Sequence, residues 1–181
     1  MTGGGSSALY THWIPAFAGM TVVGLLWAQP IHAFDPTLMP VFADRVVVKK
    51  AERRLYLYKG TVTLATYPVN LGKNPRGHKR QVGDSRTPEG RYVLDHRKPD
   101  SDFHLALHVS YPSAVDRNEA EKRGVETGGN IMIHGLPNWY KGPDQYFPFR
   151  DWTDGCIALG NRHMELLYDL VPDDTPIEIL P

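Results

Sequence analysis

The amino-acid sequence predicts a mainly β fold, a β-sandwich or open barrel with one or two helices packed against it. Short runs that are β-branched or alternate polar and apolar recur from Asp44 onward. Helical spacing with cap residues occurs at only two places. Turn formers are abundant, with Gly 17 and Pro 15 among 181 residues.

In chain order, residues 45–49 (RVVVK) read as a strand, and residues 54–58 (RLYLY) alternate as a second. Lys59-Gly60 is a turn. Residues 61–70 (TVTLATYPVN) form a third strand in a hairpin with the second, and Pro68 marks an edge or a bulge. Residues 71–89 are a long polar loop bearing Lys73, Arg76, Lys79, Arg80 and Arg86, either a solvated flap or a functional segment. Residues 90–95 and 105–110 read as strands. Residues 113–124 (SAVDRNEAEKRG) read as a helix, with Ser113 and Asp116 in a capping box and Gly124 as the stop. Residues 130–134 (NIMIH) form a short, central apolar strand. Residues 135–152 are a second long loop, rich in aromatics, and Asn161 caps a helix that carries Met164, Leu167 and Val171 at helical spacing. Residues 176–180 are a last strand. No repeat or heptad appears, and the sequence says nothing of oligomeric state.

Residues 1–34 stand outside this pattern. They contain no Lys, Arg, Asp or Glu, and VVGLLWA at 22–28 followed by Ile31-His32-Ala33 resembles an apolar export segment and its cleavage site. The segment reads as a signal peptide or as a leader translated from upstream of the true start. The folded domain is expected over residues 44–181.

Lys+Arg and Asp+Glu are both 20, a balance that argues against a nucleic-acid partner. A single cysteine, Cys156, excludes an internal disulfide, and in an exported protein a lone thiol is a liability unless it has work to do. The bland alternative is a buried, inert side chain. Close metal-ligand pairs are lacking: His104 and His108 are four apart but fall in a strand, so no metal or cofactor is expected.

Gly155-Cys156 follows a polar loop and precedes the apolar Ile157-Ala158-Leu159, which sets the thiol at the mouth of a strand. A thiol needs a proton acceptor to become a nucleophile. His134, at the end of an apolar strand and before Gly135, is the best candidate. The pairing predicts a thiol that is alkylated faster than a simple one.

These motifs resemble the L,D-transpeptidase catalytic domain (YkuD-type). That family's pattern is a His, a spacer loop, then Ser/Thr-His-Gly-Cys. Here Ile133-His134-Gly135 is followed, with eighteen residues between His134 and Thr153, by Thr153-Asp154-Gly155-Cys156. Gly83-Asp84-Ser85-Arg86-Thr87-Pro88-Glu89-Gly90, Ser110-Tyr111-Pro112 and Gly128-Gly129-Asn130 add further matches, in a branch that reads D-W-T-x-G-C-I-A. The resemblance implies a two-step acyl transfer on peptidoglycan stem peptides in the periplasm or cell envelope, with a second stem or a lipoprotein as acceptor. It implies Cys156 as nucleophile, His134 as general base, the Gly135 carbonyl orienting the imidazole, and Gly155 in the oxyanion hole. Asp154 stands where the family's second His is usual, and an anion beside a thiol weakens it. The Asp154 N–H is a further candidate for the oxyanion hole, and three readings of its side chain are open: it turns away toward Thr153 or the loop, it binds the amine of the acceptor or of diaminopimelate, or the chain is an inactive relative. Tyr111, Trp139, Arg150, Trp152 and Thr153 are the expected substrate contacts, with Lys141, Arg76, Lys79 and Arg80 as further cations for stem carboxylates. Hydrolysis by the same thiol, as an L,D-carboxypeptidase or amidase, and a non-catalytic wall-binding module are the alternatives.

Overall fold

The computed structural model describes residues 41–147 and 150–181. The expectations for residues 1–34, and Phe149 of the aromatic loop, lie outside the described residues. Eight strands form one sheet: β1 (Arg45–Lys49), β2 (Arg54–Lys59), β3 (Val62–Pro68), β4 (Gly90–Ser101), β5 (His104–Val109), β6 (Met132–His134), β7 (Ile157–Ala158) and β8 (Thr175–Leu180), with helices α1 (Ala114–Arg123) and α2 (Asn161–Leu170).

The spatial order is β3-β2-β1-β8-β4-β5-β6-β7. The three valines of β1 are all buried, which suits a strand paired on both sides, antiparallel to β2 and parallel to β8. β2 alternates, with Leu55 and Leu57 in the core and Tyr56 and Tyr58 outward. β3 is the edge strand, where Pro68 needs no donor. Just beyond β3, Asn70 and Ala158 exchange two N–H···O bonds of 2.9 Å, so the far edge of the sheet curls back onto the chain after β3. Of the two forms the sequence left open, the curled sheet is the one present.

One face of the sheet, with Val46, Val48, Leu55, Leu94, Leu107, Ile133, Ile157 and Ile179, shares its core with Met164, Leu167 and Val171 of the α2 region. The α1 capping box forms as predicted: Asp116 N–H donates to Ser113 Oγ, Ser113 N–H donates to Asp116 Oδ2, and Gly124 adopts the left-handed conformation.

Three expectations need correction. β4 runs to Ser101 rather than ending at Asp95, because bulges after Leu94 and after Lys98 keep it paired with β5. β6 lies next to the edge strand β7 rather than at the sheet centre. Asn161 does not cap α2. Its Oδ1 accepts from Leu136 N–H (2.7 Å), Gly160 takes the cap position, and Asp144 Oδ2 accepts from Arg162 N–H (3.1 Å).

The polar loop at 71–89 is not a solvated flap. Asp84 collects Lys79 Nζ (2.9 Å) and the N–H groups of Arg80, Gln81 and Arg86. Lys50, 2% exposed, donates to Gly77 O (2.7 Å), Thr87 O (3.1 Å) and Glu89 Oε1 (2.8 Å). Removing one partner of such a pair strands the other. Lys50→Met is expected to cost about 3 kcal/mol, measured by urea unfolding at an unchanged m value. A loss below about 0.5 kcal/mol, the scale of an ordinary surface change, would show that the loop does not depend on this ammonium.

Candidate active site

β6 and β7 run parallel, with Ile133 opposite Ile157 and His134 opposite Ala158. The isoleucines face the core, so His134 and Ala158 face the other way, and Cys156, two residues before Ala158, shares their face. Diagonal positions of this kind lie on the order of 7 Å apart at the backbone, a gap that an imidazole and a thiol can bridge. Both side chains line one cavity of about 280 Å³.

His134 is 4% exposed, and its Nδ1 lies 2.7 Å from Gly135 O. A carbonyl only accepts, so Nδ1 carries the proton and Nε2 of the neutral ring has its lone pair free. Phe103 lies against the imidazole at a centroid distance of 4.6 Å and Trp152 meets it edge-on at 5.6 Å. Burial pulls the imidazole below its ordinary titration range, with the Gly135 carbonyl opposing.

The half-buried Cys156 has its Sγ 3.8 Å from Asn130 O. Burial pushes the thiol up, the Met132 backbone N–H draws it partly back, and the Asp154 carboxylate adds to the rise. Both directions favour thiol and neutral imidazole over a standing ion pair. Fast alkylation of this thiol would then draw on proton transfer to His134 during attack rather than on a standing thiolate.

The turn before Cys156 is built by Thr153. Its Oγ1 donates to Cys156 O (2.7 Å) and accepts from Gly155 N–H (3.1 Å). Two expectations change. Thr153 lines the cavity, but its hydroxyl is committed to the turn rather than to a substrate, and the Gly155 N–H is engaged rather than open to an oxyanion. Among the described residues, the Cys156 N–H meets no acceptor. Gly155 has φ +133°, and a Cβ there would sit 2.6 Å from Arg86 O.

Asp154 turns outward to the 71–89 loop. Its Oδ1 meets Lys73 Nζ (3.0 Å) and Ser85 Oγ (3.2 Å). The Lys73 hydrogen bond leads in holding this carboxyl below its usual range, so it stays anionic. Of the three readings, the turn toward the loop is the one observed.

The other expected contacts divide. Trp152 lines the cavity, with a buried Nε1–H that has no partner among the described residues. Trp139 and Arg150 are exposed and border a neighbouring apolar hollow that shares Phe103 and Trp152 with the thiol cavity. Tyr111 is 2% exposed and packs on Tyr92 and His78 away from the cavity, because its ring closes the core beside α1. Lys79 is buried on Asp84 and is no free receptor. Arg76, Arg80 and Lys141 are exposed and do not line the cavity. Sequence reasoning missed Lys98, Ser101, Asp102, Phe103, Ala106, Asn130 and Met132, all of which line it. Parity with His134 was a usable signal for Met132 and Asn130. The rest depend on the β4–β5 pairing.

The L,D-transpeptidase catalytic domain family (YkuD) matches residues 43–179. YafK of Escherichia coli K12, itself assigned as an L,D-transpeptidase only provisionally, is 33% identical over 133 residues, 70% of this chain and 46% of YafK. The chain thus spans about half the length of the curated relatives it matches. The helical cell shape determining protein Pgp2 of Campylobacter jejuni aligns with a TM-score of 0.58 at 25% identity, over 76% of this chain and 47% of Pgp2. Bd1075 of Bdellovibrio bacteriovorus aligns with a TM-score of 0.54 at 28% identity, over 77% of this chain and 48% of its own.

Proposed function

The chain belongs to the L,D-transpeptidase catalytic domain family, and from that premise we propose that it is a peptidoglycan-modifying cysteine acyltransferase of the periplasm or cell envelope, its catalytic domain spanning residues 44–181. The donor is a peptidoglycan stem peptide, and the acceptor is an amine of a second stem or of a lipoprotein. The observation that carries this reading is the 2.7 Å contact of His134 Nδ1 with Gly135 O, in the cavity that also holds Cys156. It leaves the Nε2 lone pair free to accept a proton, which supports His134 as the base for the thiol.

In the first step Nε2 takes the Sγ proton as sulfur bonds to the carbonyl carbon of the amide that follows an L-centre. The carbonyl electrons move to oxygen, and the N–H of Cys156, with that of Asp154 beside it, meets the oxyanion. The C–N bond then breaks, and the D-alanine amine leaves with the proton that His134 held. In the second step the acceptor amine attacks the thioester, its proton passes to Nε2, and the departing sulfur recovers it.

Incubation with defined tetrapeptide muropeptides, read by mass, tests this. Cross-linked dimer and free D-alanine are expected, and both should vanish in Cys156→Ala. Tripeptide and D-alanine without dimer would make water the acceptor, the carboxypeptidase or amidase outcome. No product from the unaltered protein, with wall affinity unchanged in Cys156→Ala, would overturn the enzymatic reading in favour of a binding module. A carbapenem is expected to leave a covalent adduct on Cys156.

A further inference from the structure

A cation sits in the thiol cavity without a protein partner. Lys98 lies on β4, and the registers align it with the active pair: Lys98 opposite Ala106, Ala106 opposite His134, His134 opposite Ala158. Registered neighbours share a face, so Lys98, Ala106 and His134 form one row across three strands. Lys98 is two strand spacings from His134, about 10 Å at the backbone. Between them stands only a methyl group, over which a flexible four-carbon stem can lean.

The other lysines near the thiol are engaged. Lys73 pairs with Asp154 (3.0 Å) and Lys79 with Asp84 (2.9 Å). Among the described residues the Lys98 side chain has no ion pair and no hydrogen bond, although the residue is partly buried and lines the cavity. Asp102 lines the same cavity from the exposed hairpin tip but does not pair with it. An ammonium that borders a partly apolar cavity and has no protein counter-charge is free to pair with an anion that enters.

We propose that Lys98 is the receptor for the terminal carboxylate of the D-alanine that leaves in the first step. The proposal rests on the acyl-transfer reading above and names the end of the stem peptide that this cavity selects. The carboxylate carbon of that residue is only three bonds from the scissile carbonyl carbon, through nitrogen and Cα. An anion must therefore enter the cavity whenever Cys156 engages the bond. Lys98 is the cation on that wall, and it selects a free C-terminus over a blocked or extended one.

The test compares tetrapeptide stems ending in free D-alanine and in D-alaninamide. For the unaltered protein kcat/KM should favour the acid by about tenfold or more, the scale of a hydrogen bond to a charged group. In Lys98→Met the acid-to-amide ratio should collapse toward one, and Lys98→Arg should restore most of it. A ratio near one in the unaltered protein, or an equal loss on both substrates in Lys98→Met, overturns the proposal. A second readout needs no peptide chemistry. The ratio of Cys156 alkylation rates by iodoacetate and iodoacetamide should fall severalfold in Lys98→Met and recover in Lys98→Arg. If no stem peptide is consumed, the acyl-transfer reading fails while this ratio still judges Lys98, and an unmoved ratio there overturns its role.

Discussion

His134→Gln is expected to lower the acylation of Cys156 by about 10²–10⁴-fold. Gln keeps a polar side chain of similar reach but cannot take a proton. Burial makes the loss large. The thiol is held above its ordinary range and the imidazole below its own, so a thiolate is scarce at neutral pH and the base must remove the proton as the bond forms. The pH profile follows from the signs. A depressed imidazole stays neutral, and so competent, below the ordinary His titration near pH 6.5, and rate falls only when more acid conditions protonate it. A raised thiol stays protonated above the ordinary Cys range near 8.5. The native enzyme should therefore hold a broad plateau between these limits. His134→Gln should lack the plateau and gain rate about tenfold per pH unit, tracking the thiolate fraction. Carbapenem acylation followed by intact mass from pH 5 to 9 reads both. A variant within tenfold of native at pH 7, or one that keeps the plateau, removes His134 as the base.

The meeting of His134 and Cys156 in one cavity was legible in the sequence because each is specified locally. An apolar run ending in His-Gly, and a polar loop ending in Gly-Cys before another apolar run, fix the side chains to strand ends by pattern alone. The Ser113–Asp116 box was legible for the same reason. The rest of the cavity is set by pairing between distant segments. Lys98-Pro99-Asp100-Ser101-Asp102-Phe103 reads as loop, yet bulges in β4 carry it alongside β5 to the imidazole. Charge also misleads where a partner is remote in sequence or supplied by backbone. Lys79 looked solvated in a polar loop, but Asp84 gathers it together with three N–H groups. Thr153 looked like a substrate contact, but its hydroxyl is consumed inside its own turn. Hydroxyl residues near a nucleophile are ambiguous in sequence, because turn-building and ligand-binding use the same donor and acceptor.

Gly155→Ala should displace the thiol and cost most of the activity. The added Cβ would lie 2.6 Å from Arg86 O and 3.1 Å from Ile131 Cδ1, at a φ of +133°. That is a backbone region open almost only to glycine, and its cost is of order 1–3 kcal/mol before the contact with a carbonyl oxygen is added. The turn cannot shift freely to relieve it. Thr153 Oγ1 ties it to Cys156 O, and the carbonyl in its way belongs to a loop pinned by Lys50 and Asp84. Any relaxation must move the sulfur relative to His134, and displacements of about 1 Å can cost a hundredfold in rate. The expected result is a folded protein, less stable in urea, with acylation of Cys156 down by about a hundredfold or more. Gly60→Ala separates strain from position. Gly60 also has a positive φ, +56°, but a Cβ there meets nothing within 4 Å, so it should lose about 1 kcal/mol of stability and keep its acylation rate. If the two variants acylate alike, the approach of Gly155 to Arg86 does not set the position of the thiol.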